Sequence, residues 1–355
     1  MKFIDKDLKA VQEARVLMEE AAEAKKTLAL FEQKKLDRIA ACMMDALELK
    51  LEQLTEEAVR ETGYGDAKDQ LLQAKLLIKK MRKTLEPMKC VGVLSTDEAQ
   101  GVLEIGVPMG VIAAAAPAVS PVAAVLSAAV CAVKSGNAIV FAPHPRAVKT
   151  TVRTVHILEE AALEAGLVRG ALSCSETAAK EGAIELLSHP ETNLILNMGE
   201  RPLLEACSRT GCPVLYGGIA PGPVFIEKTA DISRAAACIT DSRGFNCGTG
   251  AGSEQYVVAD RQIAAQVKEE LIRHGAYFMT ETEQKQLTAF LGLEKGTGLP
   301  DKEFIGKTAA WLAQKAGFAV PEHTKVLVSE QSYITDFNPY AKAVSYTHLT
   351  LPTIA

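Results

Sequence analysis

The run Gly110-Val-Ile-Ala-Ala-Ala-Ala-Pro-Ala-Val-Ser-Pro121 decides the fold class. The apolar residues after Gly110 read as a strand buried on both faces. Pro117 ends that strand, and Pro121 suits the first position of a helix. Pro121 to Lys134, rich in Ala and Val, reads as the helix, and Asn137-Ala-Ile-Val-Phe-Ala142 reads as a second buried strand. By length alone Val111 to Val133 would reach across a bilayer. Pro117, Ser120 and Pro121 break it, so strand, turn and helix account for it better and no membrane span is expected.

Downstream the alternation continues. A helix is expected over Ala147 to Ala165, strands near Ala171–Cys174, Asn193–Leu196 and Pro213–Tyr216, and helices over Ala178–Leu187 and Pro202–Thr210. Apolar strands alternating with helices predict an α/β fold, a doubly wound parallel sheet covered on both faces. Ligands of such sheets bind beyond the strand C-terminal ends. Those ends are Pro117–Ser120, Pro143–Arg146, Asn197–Arg201 and Gly217–Gly222. No Gly-x-Gly-x-x-Gly follows the first strand, so an ordinary dinucleotide fingerprint is absent.

Upstream, residues 5–84 read as helices. Leu8, Val11, Ala14, Leu17, Met18 and Ala21 recur at helical spacing, and so do Phe31, Leu36, Ile39, Met43 and Leu47. Glu61-Thr-Gly-Tyr-Gly65 breaks the pattern, and Asp66 suits the N-cap of the next helix. Residues 90–106 alternate weakly, like a two-stranded ribbon. Beyond Pro223-Val-Phe-Ile-Glu227, Asp231 caps a helix to about Thr240. A glycine-rich loop follows, then a strand (Glu254–Ala259), a helix (Gln262–His274), two further helices (Glu281–Phe290 and Trp311–Gly317) and a strand (Lys325–Val328).

That loop, Ser242-Arg-Gly-Phe-Asn-Cys-Gly-Thr-Gly-Ala-Gly-Ser-Glu-Gln255, holds one thiol among four glycines. A cysteine there, rather than in a core, is a candidate nucleophile or simply a spare thiol of a surface loop. Composition narrows the classes. A net charge of -5 leaves no basic stripe for nucleic acid. Eight scattered cysteines with no Cys-x-x-Cys pair predict neither a metal site nor a disulfide framework, and point to a reducing cytoplasm.

Several segments together resemble the CoA-acylating branch of the aldehyde dehydrogenase family, over about residues 5–343. They are Glu61-Thr-Gly-Tyr-Gly65, Pro108-Met-Gly-Val-Ile112, Gly136-Asn-Ala-Ile-Val-Phe-Ala-Pro-His-Pro-Arg146, Glu227-Lys-Thr-Ala-Asp-Ile232 and Ser253-Glu-Gln255. The resemblance implies oxidation of a short-chain aldehyde with NAD or NADP through a thioester enzyme, with coenzyme A as acyl acceptor. It implies a nucleotide-binding domain whose helical part is residues 1–84 and whose ribbon and sheet are residues 85–226. A second, incomplete α/β catalytic domain would be residues 227–343. It also implies an oligomer, homo- or hetero-, in the cytoplasm or inside a bacterial microcompartment. Val344-Ser-Tyr-Thr-His-Leu-Thr-Leu-Pro-Thr353 resembles a translated sequencing adapter, so residues 344–355 are expected to lie outside the natural chain.

Carried across residue by residue, the resemblance puts cofactor contacts at Pro117, His144, Pro145, Gly199 and Glu200. Its nucleophile position is Ala251 and its oxyanion asparagine position is Ser120; the nearest thiol, Cys247, lies four residues upstream of Ala251. Gly218-Ile-Ala-Pro221 replaces a Gly-Pro-Gly-Asn run. Three readings follow. One is an acylating enzyme with Cys247 as nucleophile and Ser120 as oxyanion donor. A second is a catalytically inactive relative, a binding or structural partner of an active paralogue. A third is a different reaction on the same scaffold, using Glu200, Arg201, His144 or Tyr216.

Overall fold

The computed structural model describes residues 5–199, 201–217, 222–250, 252–293, 302–331 and 348–354. The chain forms two compact units, residues 1–62 with 70–218 and residues 63–69 with 219–355.

The first unit opens with helices α1 (Lys6–Leu28), α2 (Gln33–Glu48) and α3 (Leu51–Thr62), and contains most of α4 (Ala67–Leu85). Strands β1 (Gly92–Asp97) and β2 (Val102–Gly106) make the antiparallel ribbon expected from residues 90–106. The sheet itself is built from β3 (Val111–Ala115), β4 (Ala138–Ala142), β5 (Leu172–Cys174), β6 (Thr192–Asn197) and β7 (Val214–Tyr216), connected by α5 (Pro121–Lys134), α6 (Val148–Glu164), α7 (Lys180–Ser188) and α8 (Leu204–Arg209). Its order is β5-β4-β3-β6-β7 and every pairing is parallel.

This order explains the double winding. From β3 to β5 the chain steps one way across the sheet; from β5 it returns past β3 to β6. Right-handed crossovers therefore put α5 and α6 on one face and α7 on the other. All five residues of β3 and of β4 are buried, which is why they read as unbroken apolar runs. The apolar faces of α1, α2 and α3 join the same core through Met18, Leu36, Ile39, Met43, Leu51 and Leu54. The run from Val111 to Val133 is β3, a turn and most of α5. No helix among the described residues is long and apolar enough to cross a membrane.

The second unit contains β8 (Gly222–Ile226), α9 (Ile232–Gly244), β9 (Glu254–Asp260), α10 (Ala264–Arg273), β10 (Ala276–Phe278), α11 (Glu281–Phe290), α12 (Ala309–Ala316), β11 (Val326–Gln331) and β12 (His348–Ile354). They form a second parallel sheet in the order β10-β11-β12-β9-β8. Two cores lie on its two faces, and β11 divides its side chains between them by simple alternation. Val326 and Val328 join α9 and α10, and Leu327 joins α11 and α12.

Three features differ from the expectations. β8, placed by sequence at the end of the first domain, pairs with β9 in the second sheet. β10 is a three-residue strand, too short to give an alternating signal. His348–Ile354, held outside the fold on sequence grounds, is a strand between β11 and β9. Threonine and isoleucine favour strands, and the position closes two otherwise open strand edges.

Candidate active site

Four of the five cofactor positions implied by sequence share one edge of the first sheet. Ala115 of β3 is in register with Ala142 of β4 and with Asn197 of β6. Pro117, His144 with Pro145, and Gly199 therefore follow the ends of three adjacent strands. The edge is tied by backbone bonds from Ala116 N to Ala142 O at 2.9 Å and from Met198 N to Ala115 O at 3.2 Å. β3 and β6 are the neighbours from which the chain leaves in opposite directions, the crevice where open α/β sheets bind ligands. Glu200 lies outside the described residues.

Local geometry suits close approach by a nucleotide. Gly199 has φ +105°, and among the described residues a Cβ there would meet only the Gly217 carbonyl oxygen, at 3.5 Å. This open backbone is a cradle that a side chain would fill. His144 accepts the Arg146 N–H on Nδ1 at 2.9 Å, which fixes its ring. The resemblance puts a nicotinamide dinucleotide at this open strand edge, where when bound it would supply hydride transfer.

Ser120 ends the same crevice as the N-cap of α5. It is buried, left-handed at φ 45°, and makes no side-chain capping bond. A non-glycine residue held left-handed before a proline is strained, by about 1–3 kcal/mol. The strain falls at the position that the resemblance gives to the oxyanion donor.

Cys247 lies in the second unit, in a tight turn after α9 that spans Phe245–Gly248. Asn246, Cys247 and Gly248 are successively left-handed, at φ 49°, 52° and 73°. Such a run costs about 1–2 kcal/mol for each non-glycine residue, so it needs compensating bonds. Asn246 supplies them. Its Oδ1 accepts the Asp66 N–H at 2.8 Å, its own N–H donates to Asp69 Oδ2 at 2.7 Å, and its Nδ2 donates to Thr249 Oγ1 at 2.7 Å. Further along, Arg243 Nη1 donates to Ser253 Oγ at 2.8 Å, and Ser253 Oγ donates to the Gly250 carbonyl at 2.8 Å. Ala251 lies outside the described residues.

The thiol held by this turn is buried. Burial, then the Asp66 and Asp69 carboxylates, push it up to about 11, against a smaller opposing pull from Lys307. At pH 7 such a thiol is ionised in about one molecule in ten thousand, and the thiolate is the nucleophile. The cysteine that sequence offered as a nucleophile thus sits in a buried, acidic setting that disfavours its thiolate. Sequence reading missed Asn246 and Asp69 and took Asp66 only as a helix cap, although Asn just past a helix end is a left-handed turn signal. Among the described residues no group of His, Cys, Asp and Glu could hold a metal ion.

Residues 5–288 match the aldehyde dehydrogenase family. The chain belongs to the aldehyde dehydrogenase family. Within that family it is 31% identical over 332 residues to the bifunctional aldehyde-alcohol dehydrogenase AdhE of Escherichia coli K12. That alignment takes in 93% of this chain but 37% of the E. coli protein, so the chain spans well under half of this relative. Among solved structures, a probable aldehyde dehydrogenase from Listeria monocytogenes superposes with TM-score 0.94 at 35% identity, covering 99% of this chain and 77% of that one. An acetylating aldehyde dehydrogenase from Geobacillus thermoglucosidasius gives TM-score 0.93 at 33% identity, with the same coverages. This aldehyde dehydrogenase chain thus has acylating relatives and their fold.

Proposed function

We propose that this chain keeps the ligand scaffold of the CoA-acylating branch, for NAD or NADP, a short-chain aldehyde and coenzyme A, without the branch's thioester chemistry. One observation carries the reading: Cys247 is a buried thiol pushed up to about 11, clamped in a left-handed turn. The family position for the nucleophile is alanine at 251. Without a thiolate no thiohemiacetal forms, and hydride has no covalent adduct to leave. The chain then acts by binding, as a partner of an active paralogue in an oligomer.

The test mixes the protein with NAD+ or NADP+, coenzyme A and short aldehydes while nicotinamide absorbance is followed. No turnover by the wild type, with turnover gained in Ala251→Cys or in Ala251→Cys combined with Ser120→Asn, is the expected result. Wild-type turnover abolished by Cys247→Ala would instead establish the second reading, an acylating enzyme using Cys247, which the family membership favours.

A further inference from the structure

Residues 71–89 hold six basic side chains and one acidic, in a chain of net charge -5. Ala74, Ile78 and Met81 turn one face of α4 into the core. On the other face Leu72, Lys75, Leu76, Lys79 and Lys83 follow one another at spacings of three and four, so they form one stripe. The three lysines are exposed, and Leu72 and Leu76 are 50% and 47% exposed. Arg82 is held by Asp45 and Glu48. No hydrogen bond or ion pair joins Lys75, Lys79, Lys80 or Lys83 to another described residue. Glu86 is the one carboxylate on this stretch, with Lys89 beyond it. Lys75, Lys79 and Lys83 make two successive like-charge pairs one turn apart, which weakens an isolated helix. The stripe is stabilised by meeting opposite charge.

A face of that kind lies on α1 and α6. Glu19 and Glu20 of α1 and Glu159 and Glu160 of α6 make no hydrogen bond or ion pair with a described residue. The helices come together at Gly170, just past α6, where a Cβ would meet the Glu20 carbonyl oxygen at 2.9 Å. Burial raises the Glu159 carboxyl; His156 and Arg169 oppose the rise, and Glu160 and Glu20 add to it. Glu13 and Glu176 extend the face toward the start of α1, where Lys6 and Lys9 border it. Of the other cations nearby, Arg15 is held by Glu185 and Lys26 by Glu23. Val16, 43% exposed, stands one turn before Glu20. The two faces therefore match in kind: lysines around two exposed leucines, and carboxylates around an exposed valine.

We propose that the α4 lysine stripe docks on the α1–α6 carboxylate face of a second copy of this chain. The two faces differ, so the contact is heterologous: each docked pair keeps one free face of each kind, and association extends with concentration. Opposite charges steer the encounter, and salt weakens it. The inference stands apart from the nucleotide and thioester readings.

Sedimentation velocity on the full chain tests it, over a range of protein concentration at low salt and at about 0.5 M salt. The wild type is expected to form, at low salt, species larger than its high-salt form. The apparent dissociation constant should rise at least about tenfold on adding salt. Two charge-reversed variants are compared, Lys75→Glu/Lys79→Glu/Lys83→Glu and Glu19→Lys/Glu20→Lys/Glu160→Lys. All six positions are exposed, and circular dichroism checks that each variant folds. Should a triple variant not fold, Lys79→Glu and Glu160→Lys give the same comparison. Each variant alone should stay at the high-salt size. An equimolar mixture should associate again, since each variant then carries a face complementary to one on the other. A wild type whose size ignores salt and concentration would overturn the contact. So would association that survives in either variant, or a mixture that stays apart.

Discussion

Asn246 Oδ1 accepts the backbone N–H of Asp66 at 2.8 Å, across 180 positions of sequence. The bond joins the loop expected to carry the nucleophile to the cap of α4. Asp66 in turn accepts the N–H groups of Lys68 and Asp69 on its own Oδ1, so one short segment caps a helix and holds the Cys247 turn. The turn owes its shape to this clamp rather than to the glycines that mark it in sequence.

Asn246→Ala removes the acceptor for Asp66 and the donor to Thr249, and leaves alanine in a left-handed conformation. The Asp66 N–H loses its acceptor in a half-buried setting, and the buried Thr249 hydroxyl loses its donor. A loss of about 2–4 kcal/mol is expected, measured as a shift of the urea midpoint at unchanged slope.

Gly65 has φ +76°, and a Cβ there would lie 2.0 Å from Asn246 Oδ1. Gly65→Ala therefore strains the backbone and displaces the Asn246 side chain together. Stability should fall by at least about 2 kcal/mol. Because the clamp opens, Cys247 should also react faster with a disulfide reagent at pH 8; an unchanged rate would show that the clamp does not shield the thiol.

The Cys247 thiol titrates in the folded chain near 11, against 9.0 for the unperturbed group. The folded state thus holds the proton more tightly than the unfolded state. This contribution is fully present below about pH 9 and is lost as pH rises through about 11. Between pH 8 and pH 11 the wild type should lose about 2 kcal/mol more than Cys247→Ala, read from denaturant midpoints at each pH. Alkylation of Cys247 should remain slow at neutral pH and accelerate only toward pH 11.

Glu61, the first residue of the Glu61-Thr-Gly-Tyr-Gly65 motif, caps a distant helix. Its carboxylate accepts the N–H groups of Lys149 and Thr150, both at 2.8 Å, and the Thr150 hydroxyl at 2.6 Å, at the start of α6. A carboxylate there satisfies orphan donors and meets the positive end of the helix dipole. Glu61→Ala should lower stability by about 1–2 kcal/mol, and Glu61→Gln by less, measured by chemical denaturation.

Much of the first sheet was legible because its strands are buried on both faces. Val111–Ala115 and Ala138–Ala142 have no polar residue to hide their period, and Pro117 and Pro121 mark the turn between strand and helix. The helix caps Asp66 and Asp231 were readable from capping chemistry that acts within four residues. The second sheet was less legible. Three-residue β10 has no period to detect, and β8 alternates half-exposed with exposed residues, so its partner was not encoded locally.

The sequence by itself determined the family and the doubly wound parallel sheet. These follow from residue identity and from short-range periodicity. Only the tertiary structure decided the state of Cys247, because a thiol's ionisation depends on burial and on carboxylates brought from Asp66 and Asp69, far away in sequence. It alone also brought Glu20 of α1 within electrostatic reach of Glu159 of α6, since those helices meet only when the sheet is assembled.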